Sequence, residues 1–133
     1  MSKELLDKFK DVIAKNAFPE HCHVYITDME LDYCTGEASI HPESHNAYGN
    51  VHGGVYFTLA DTTSGFAARA DGRRYVTQQS NMYFISAAKG DMLYSRATVV
   101  KRGRTVCIID TDVTDSYGNL VARGSFNYFC IDK

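Results

Sequence analysis

Val51-His-Gly-Gly-Val-Tyr-Phe-Thr-Leu-Ala-Asp-Thr-Thr-Ser-Gly-Phe-Ala-Ala-Arg-Ala70 is the stretch on which the fold turns. Val55, Leu59, Thr63, Phe66 and Ala67 recur at helical spacing and make one stripe. Asp71-Gly72 follows as a stop signal. The spacing predicts one long helix over residues 51–70, with Asn50 as its N-cap. Its middle carries Asp61, Thr62, Thr63 and Ser64, so it is only moderately apolar. One face should lie on a sheet and another near a ligand or a partner.

Downstream, β-rich runs cover 75–87, 92–100, 105–114 and 120–131. Lys89-Gly90-Asp91, Arg102-Gly103 and Tyr117-Gly118-Asn119 separate them with hairpin chemistry. Four consecutive antiparallel strands are expected. Upstream, residues 23–33 read as a strand, Cys34-Thr-Gly-Glu37 as a turn and Ala38-Ser-Ile-His41 as the returning strand. A loop with Pro42, Asn46, Gly49 and Asn50 leads to the long helix. At the start, Leu5, Leu6, Phe9, Val12 and Ile13 oppose Lys3, Glu4, Lys8, Lys10 and Lys15. That predicts an N-terminal amphipathic helix within 1–18, with Ser2 as N-cap, ending before Pro19. The order excludes a βαβ doubly wound fold. It points to an α+β class, with an antiparallel sheet curled around one long central helix and an extra N-terminal helix.

The length of 133 residues predicts a single domain over 1–133, large enough to fold without a disulfide or metal. Lys+Arg total 14 against Asp+Glu 16, so no basic excess favours nucleic acid. No apolar run is long enough to span a membrane, and the charged first ten residues lack a secretory core. A cytoplasmic location is the expectation. The four cysteines are scattered without a Cys-x-x-Cys pair and read as small buried hydrophobes. His21-Cys22-His23 is a poor metal fragment, because neighbours on a strand face opposite ways; no metal is expected.

The chemistry concentrates in Asn46-Ala-Tyr-Gly-Asn-Val-His-Gly-Gly-Val-Tyr-Phe-Thr-Leu-Ala-Asp61. First-turn N–H groups of a helix lack intrahelical partners and sit at its positive end. Gly53 and Gly54 there allow close approach of a ligand to backbone, and a glycine N–H can bind a developing oxyanion. Both are also explained by packing. Asp61 sits in apolar company, where a carboxylate is either paired or used chemically. His52 has no Ser or Cys nucleophile beside it in sequence, and capping or packing accounts for it. Gly53 and Asp61 are eight positions apart, about 12 Å along a helix axis. Both cannot reach one carbonyl from the same chain. If both act on one substrate, one comes from a second subunit, and function requires a dimer with two equivalent sites.

Asn46, His52-Gly53-Gly54 and Asp61, with Asn81-Met-Tyr-Phe-Ile-Ser-Ala-Ala-Lys-Gly-Asp91 and Lys101-Arg-Gly-Arg-Thr105, resemble the hotdog-fold acyl-CoA thioesterases of the phenylacetate-pathway (PaaI-like) type. The resemblance covers roughly residues 20 to 131. It implies that the Gly53 N–H polarises the thioester carbonyl and that Asn46 positions water or the carbonyl. Asp61 of the opposite subunit is then nucleophile or general base, and His52 supports the loop or orients the substrate. Thr77 is the closest match to the Ser or Thr often found near the catalytic Asp. Gly54, Lys101, Arg102 and Arg104 are the substrate-binding candidates, the cations toward the phosphates of coenzyme A. Coenzyme A enters as part of the substrate, with no separate cofactor. The resemblance further implies a homodimer with interface sites, and a dimer of dimers. A non-catalytic acyl-CoA binder or sensor of the same fold is the alternative function. A hydratase or dehydratase is less suited, because its His and acid stand differently.

Overall fold

The computed structural model describes residues 3–132. Its elements run α1 (Glu4–Lys8), α2 (Lys10–Ala14), α3 (Ala17–His21), β1 (Val24–Glu30), β2 (Tyr33–Ser39), α4 (Gly53–Arg69), β3 (Tyr75–Phe84), β4 (Met92–Arg102), β5 (Val106–Asp115) and β6 (Leu120–Cys130). The six strands form one sheet in the order β1-β2-β4-β5-β6-β3, and every neighbouring pair is antiparallel. Helix α4 packs against the sheet's inner face. Leu59, Ala60, Thr63 and Ala67 are fully buried between them. Leu59→Ala would cost about 3 kcal/mol, as emptied core sites do.

The polar middle of α4 is built into this contact. Thr63 Oγ1 lies 2.7 Å from the Leu59 carbonyl and 2.5 Å from Ser95 Oγ. Ser64 Oγ bonds Thr111 Oγ1. Hydroxyl pairs therefore satisfy the buried polar groups between helix and sheet. At Gly36, an added Cβ would stand 2.6 Å from Thr63 Oγ1. Gly36 is a close-approach glycine within β2, which corrects the turn expected over Cys34–Glu37. The reversal is instead at Leu31-Asp32, where Asp32 adopts φ 67°.

Three further expectations change. The N-terminal helix over 1–18 is three short helices, interrupted at Phe9 and again before Ala17. Pro19 lies inside α3, in the first turn, where the N–H it lacks would have no intrahelical acceptor. The Ser2 cap lies outside the described residues. Finally, Lys89-Gly90-Asp91 joins no hairpin. β3 pairs with β6 rather than β4, and the connection crosses the sheet. Tyr56 fastens that crossing segment: its hydroxyl donates to the Ser86 carbonyl at 3.0 Å and accepts the Ala88 N–H at 2.8 Å.

β3 is consequently an edge strand. Val76, Tyr83, Phe84 and Ile85, along and just beyond it, are 48%, 73%, 55% and 50% exposed. A long apolar edge of this kind is a template for pairing with another chain.

Candidate active site

The loop before α4 is folded onto itself. Asn46 Oδ1 accepts the N–H groups of Tyr48 at 2.9 Å and Asn50 at 3.1 Å, and the Asn46 N–H donates to the Asn50 carbonyl. Its carboxamide NH2 is the part left to meet a ligand. The N-cap is His52, not Asn50, and α4 begins at Gly53. His52 Nδ1 accepts the Gly54 N–H at 2.8 Å, which fixes the neutral ring's proton on Nε2. The N–H of Gly54, one of the substrate-binding candidates, is therefore engaged by the cap. Gly53 keeps a first-turn N–H without an intrahelical acceptor. A Cβ on Gly53 would meet the Phe84 ring at 3.3 Å, so packing also favours glycine there.

Two turns along, Asp61 is held by one oxygen. Its Oδ1 accepts the Thr77 hydroxyl at 2.8 Å, and the Tyr128 hydroxyl lies 2.7 Å away. Among the described residues no donor reaches Oδ2. Tyr128 also stands 2.7 Å from the Asp61 carbonyl oxygen. Burial, then the Asp61 charge, pushes the Tyr128 hydroxyl well above its ordinary value, so it remains a donor. Thr77 and Tyr128 are cross-strand partners in the β3–β6 register, and a bulge interrupts β3 between Thr77 and Gln79. Such bulges re-aim side chains beside functional sites. Tyr128 was absent from the sequence candidates. Its signal was the inward alternation Phe126, Tyr128, Cys130, since a buried tyrosine hydroxyl needs a partner.

Asp61, Thr77 and Tyr128 line a cavity of about 560 Å³, walled by the outer face of α4, the start of β3 and the N-terminal helices. A carboxylate with one anchored and one free oxygen beside a cavity can attack an electrophile or activate water. The thioesterase superfamily pattern matches residues 48–122, more than half the chain.

The chain belongs to the thioesterase superfamily. Acyl-coenzyme A thioesterase 13 of Homo sapiens is 34% identical over 92 residues, 66% of each chain. A hypothetical thioesterase protein of Streptococcus pneumoniae TIGR4, solved with coenzyme A, is 33% identical, with a TM-score of 0.78 over 83% of this chain and 90% of that one. The same protein was solved with an aspartate-to-alanine and with a threonine-to-alanine substitution, sixteen positions apart. The PaaI protein of the E. coli phenylacetic acid degradation operon superposes with a TM-score of 0.92 over 98% of this chain and 96% of that one, at 20% identity, which establishes the hotdog fold. Membership and these relatives support thioester hydrolysis as the activity class. No helix among the described residues is long and apolar enough to cross a membrane.

The candidate cations divide. Arg102 was a phosphate candidate, but the fold engages it. Nε donates to Asp32, Nη1 to the Ala68 carbonyl and Asp71, and Nη2 to the Ala67 carbonyl, all within 3.0 Å. It braces the last turn of α4, where a cation suits the helix dipole. Arg73 likewise bonds Asp71 and the Arg104 carbonyl. Lys101 and Arg104 are exposed, with no ion pair among the described residues, and remain open to a phosphate. Among the described residues, His23, His41 and Glu43 bring ligand atoms within 4.8 Å of one another. His23 and His41 are stacked, with centroids 3.8 Å apart and planes 29° apart, and His23 already bonds Glu43 at 2.9 Å. Stacked rings aim their in-plane lone pairs side by side rather than at one point.

Proposed function

We propose that this protein hydrolyses acyl-CoA thioesters to free acid and CoA at sites shared between two subunits. The observation that carries the reading is the half-anchored carboxylate of Asp61 beside the cavity. Thr77 and Tyr128 fix Oδ1, which orients Oδ2 for attack on the thioester carbonyl or for taking a proton from water. Thr77 follows Asp61 by sixteen residues, the same spacing as the aspartate and threonine substituted in the streptococcal thioesterase. The Gly53 N–H supplies the oxyanion donor, and the Asn46 NH2 group orients water or the carbonyl. A thioester is activated enough for this small set.

The exposed β3 edge supports the shared site. Thr77 bonds Asp61 near one end of the strand, and Phe84 touches Gly53's position at the other. Pairing β3 antiparallel with a second copy, about an axis between Ser80 and Asn81, sets Thr77 opposite Phe84 of the partner subunit. Asp61 then faces Gly53 of the partner subunit, and the reverse holds at the second site. The same edge is covered in the process.

The test is loss of thioester absorbance across short, medium, long and aromatic acyl-CoAs, with Asp61→Asn as control. Turnover abolished in a folded Asp61→Asn variant supports the reading. Full turnover in that variant would refute it. Single turnover in heavy-oxygen water separates the two roles: label in Asp61 marks a nucleophile, label only in the product acid a general base.

A further inference from the structure

The cavity extends from Asp61 along α4 in a defined way. Asp61, Gly65 and Arg69 are spaced by four residues, so they share one face of the helix, and all three line the cavity. Gly65 is the unexplained member. The nearest side-chain atoms to a Cβ built there are those of Tyr128, at an ordinary 3.6 Å or more, so no clash demands glycine. Glycine inside a helix costs about 1 kcal/mol relative to alanine. What it leaves is a trough between the carboxylate and the guanidinium.

Arg69 stands apart among the half-buried arginines; Arg96 and Arg104, which also lack an ion pair among the described residues, are exposed. Arg73, Arg74, Arg102 and Arg123 each have a carboxylate partner. Arg69 has no ion pair within 4 Å among the described residues, and its buried Nε has no acceptor. Asp132, which feels its charge, is bonded to Arg74. The Arg69 Cζ lies over the Phe9 ring, 5.6 Å from its centroid. The ring face attracts the cation without supplying a hydrogen-bond acceptor of carboxylate strength, so the guanidinium keeps N–H donors for one. The other cation lining the cavity, Lys15, is exposed. Asp61 to Arg69 spans about 12 Å of helix axis, the reach of a medium-length chain.

We propose that Arg69 is a specificity-determining residue that anchors the far end of the acyl group, and that the preferred substrates are thioesters whose acyl chain ends in a carboxylate. This rests on the acyl-CoA reading of the same site. The thioester end lies at Asp61, the chain passes over Gly65, and the distal carboxylate pairs with the Arg69 guanidinium.

The experiment compares suberoyl-CoA with octanoyl-CoA, which have equal chain length and differ only in the distal group. The ratio of their kcat/KM values is insensitive to how much enzyme is folded. The wild type should favour suberoyl-CoA by about tenfold or more, the scale of a hydrogen bond between charged groups. Arg69→Met should bring the ratio to about one or below, and Arg69→Lys should keep part of it. A wild-type ratio at or below one, or a preference unchanged in Arg69→Met, overturns the proposal. If no acyl-CoA is turned over, the proposed function fails and calorimetry with the same two ligands still decides the anchor. Tighter suberoyl-CoA binding that Arg69→Met removes sustains it, and equal binding rejects it.

Discussion

Two carboxylates in this chain are held in opposite ways. Asp115, at the end of β5, is 2% exposed and saturated. Its Oδ1 accepts the Tyr117 and Asn119 N–H groups, and its Oδ2 accepts the Lys89 N–H and the Asn119 side chain. Asp61, in the middle of α4, is bonded through Oδ1 alone. The two arginines at the end of α4 repeat the contrast. Arg102 is bonded through every nitrogen, whereas Arg69 lies over a ring and has no ion pair among the described residues. Saturated groups hold the fold together. A group that is oriented on one side and open on the other is prepared for something the chain does not contain.

The contrast breaks most visibly at Asp61. Asp61→Asn should lower kcat by about a thousandfold, within the range for losing an acid–base group, while the melting temperature stays close to wild type. Gly53→Pro comes next. Proline is favoured at the first helical position and His52 is already extended, at ψ 138°, so the helix should form without the donor, with the Phe84 ring giving way to the added ring at its 3.3 Å contact. Steady-state kinetics should then show kcat down by about a hundredfold, the effect of one oxyanion donor. Tyr128→Phe and Thr77→Ala each remove one anchor from Oδ1. Each should reduce kcat by about tenfold, and the double variant should show coupling rather than simple addition.

The saturated side should answer in stability alone. Arg102→Met should cost about 2 kcal/mol in denaturant unfolding and leave kcat/KM unchanged. Asp115 yields the smallest effect, and its sign follows from its neighbours. Burial pushes its carboxyl up, but the N–H groups of Lys89, Asn119 and Tyr117 together outweigh burial and hold it below the ordinary value. A carboxyl depressed by folding stabilises above its unfolded value, about 3.9, and loses that contribution as pH falls through the folded one. Melting temperature should therefore decline below about pH 4 in the wild type, with a shallower decline in Asp115→Asn.

The same contrast explains what the sequence disclosed. The long helix and the β-rich runs were legible because periodicity and glycine turns are local signals. Asn46, Gly53 and Asp61 stand out as candidates because a capped, glycine-rich helix start followed by a carboxylate has few uses. The neighbour of β3 was not legible, because a turn-like Lys89-Gly90-Asp91 says nothing about which strand lies alongside. Gly36 was misread for a related reason: its glycine answers to Thr63 across the interior, not to a local reversal. Tyr128 escaped because its role depends on register against Thr77. Arg69 and Arg102 look alike as residues, and only the packed structure separates the braced cation from the open one.

The central claim is that each site takes its carboxylate from one subunit and its oxyanion donor from the other. Mixed dimers of Asp61→Asn and Gly53→Pro subunits, each expected to keep about 1% of wild-type turnover or less, test it most directly. A shared site predicts that the mixed dimer regains close to one wild-type site's turnover, because one of its two sites has both Asp61 and the Gly53 N–H. Mixed dimers as inactive as either parent, or a fully active monomer, would contradict it.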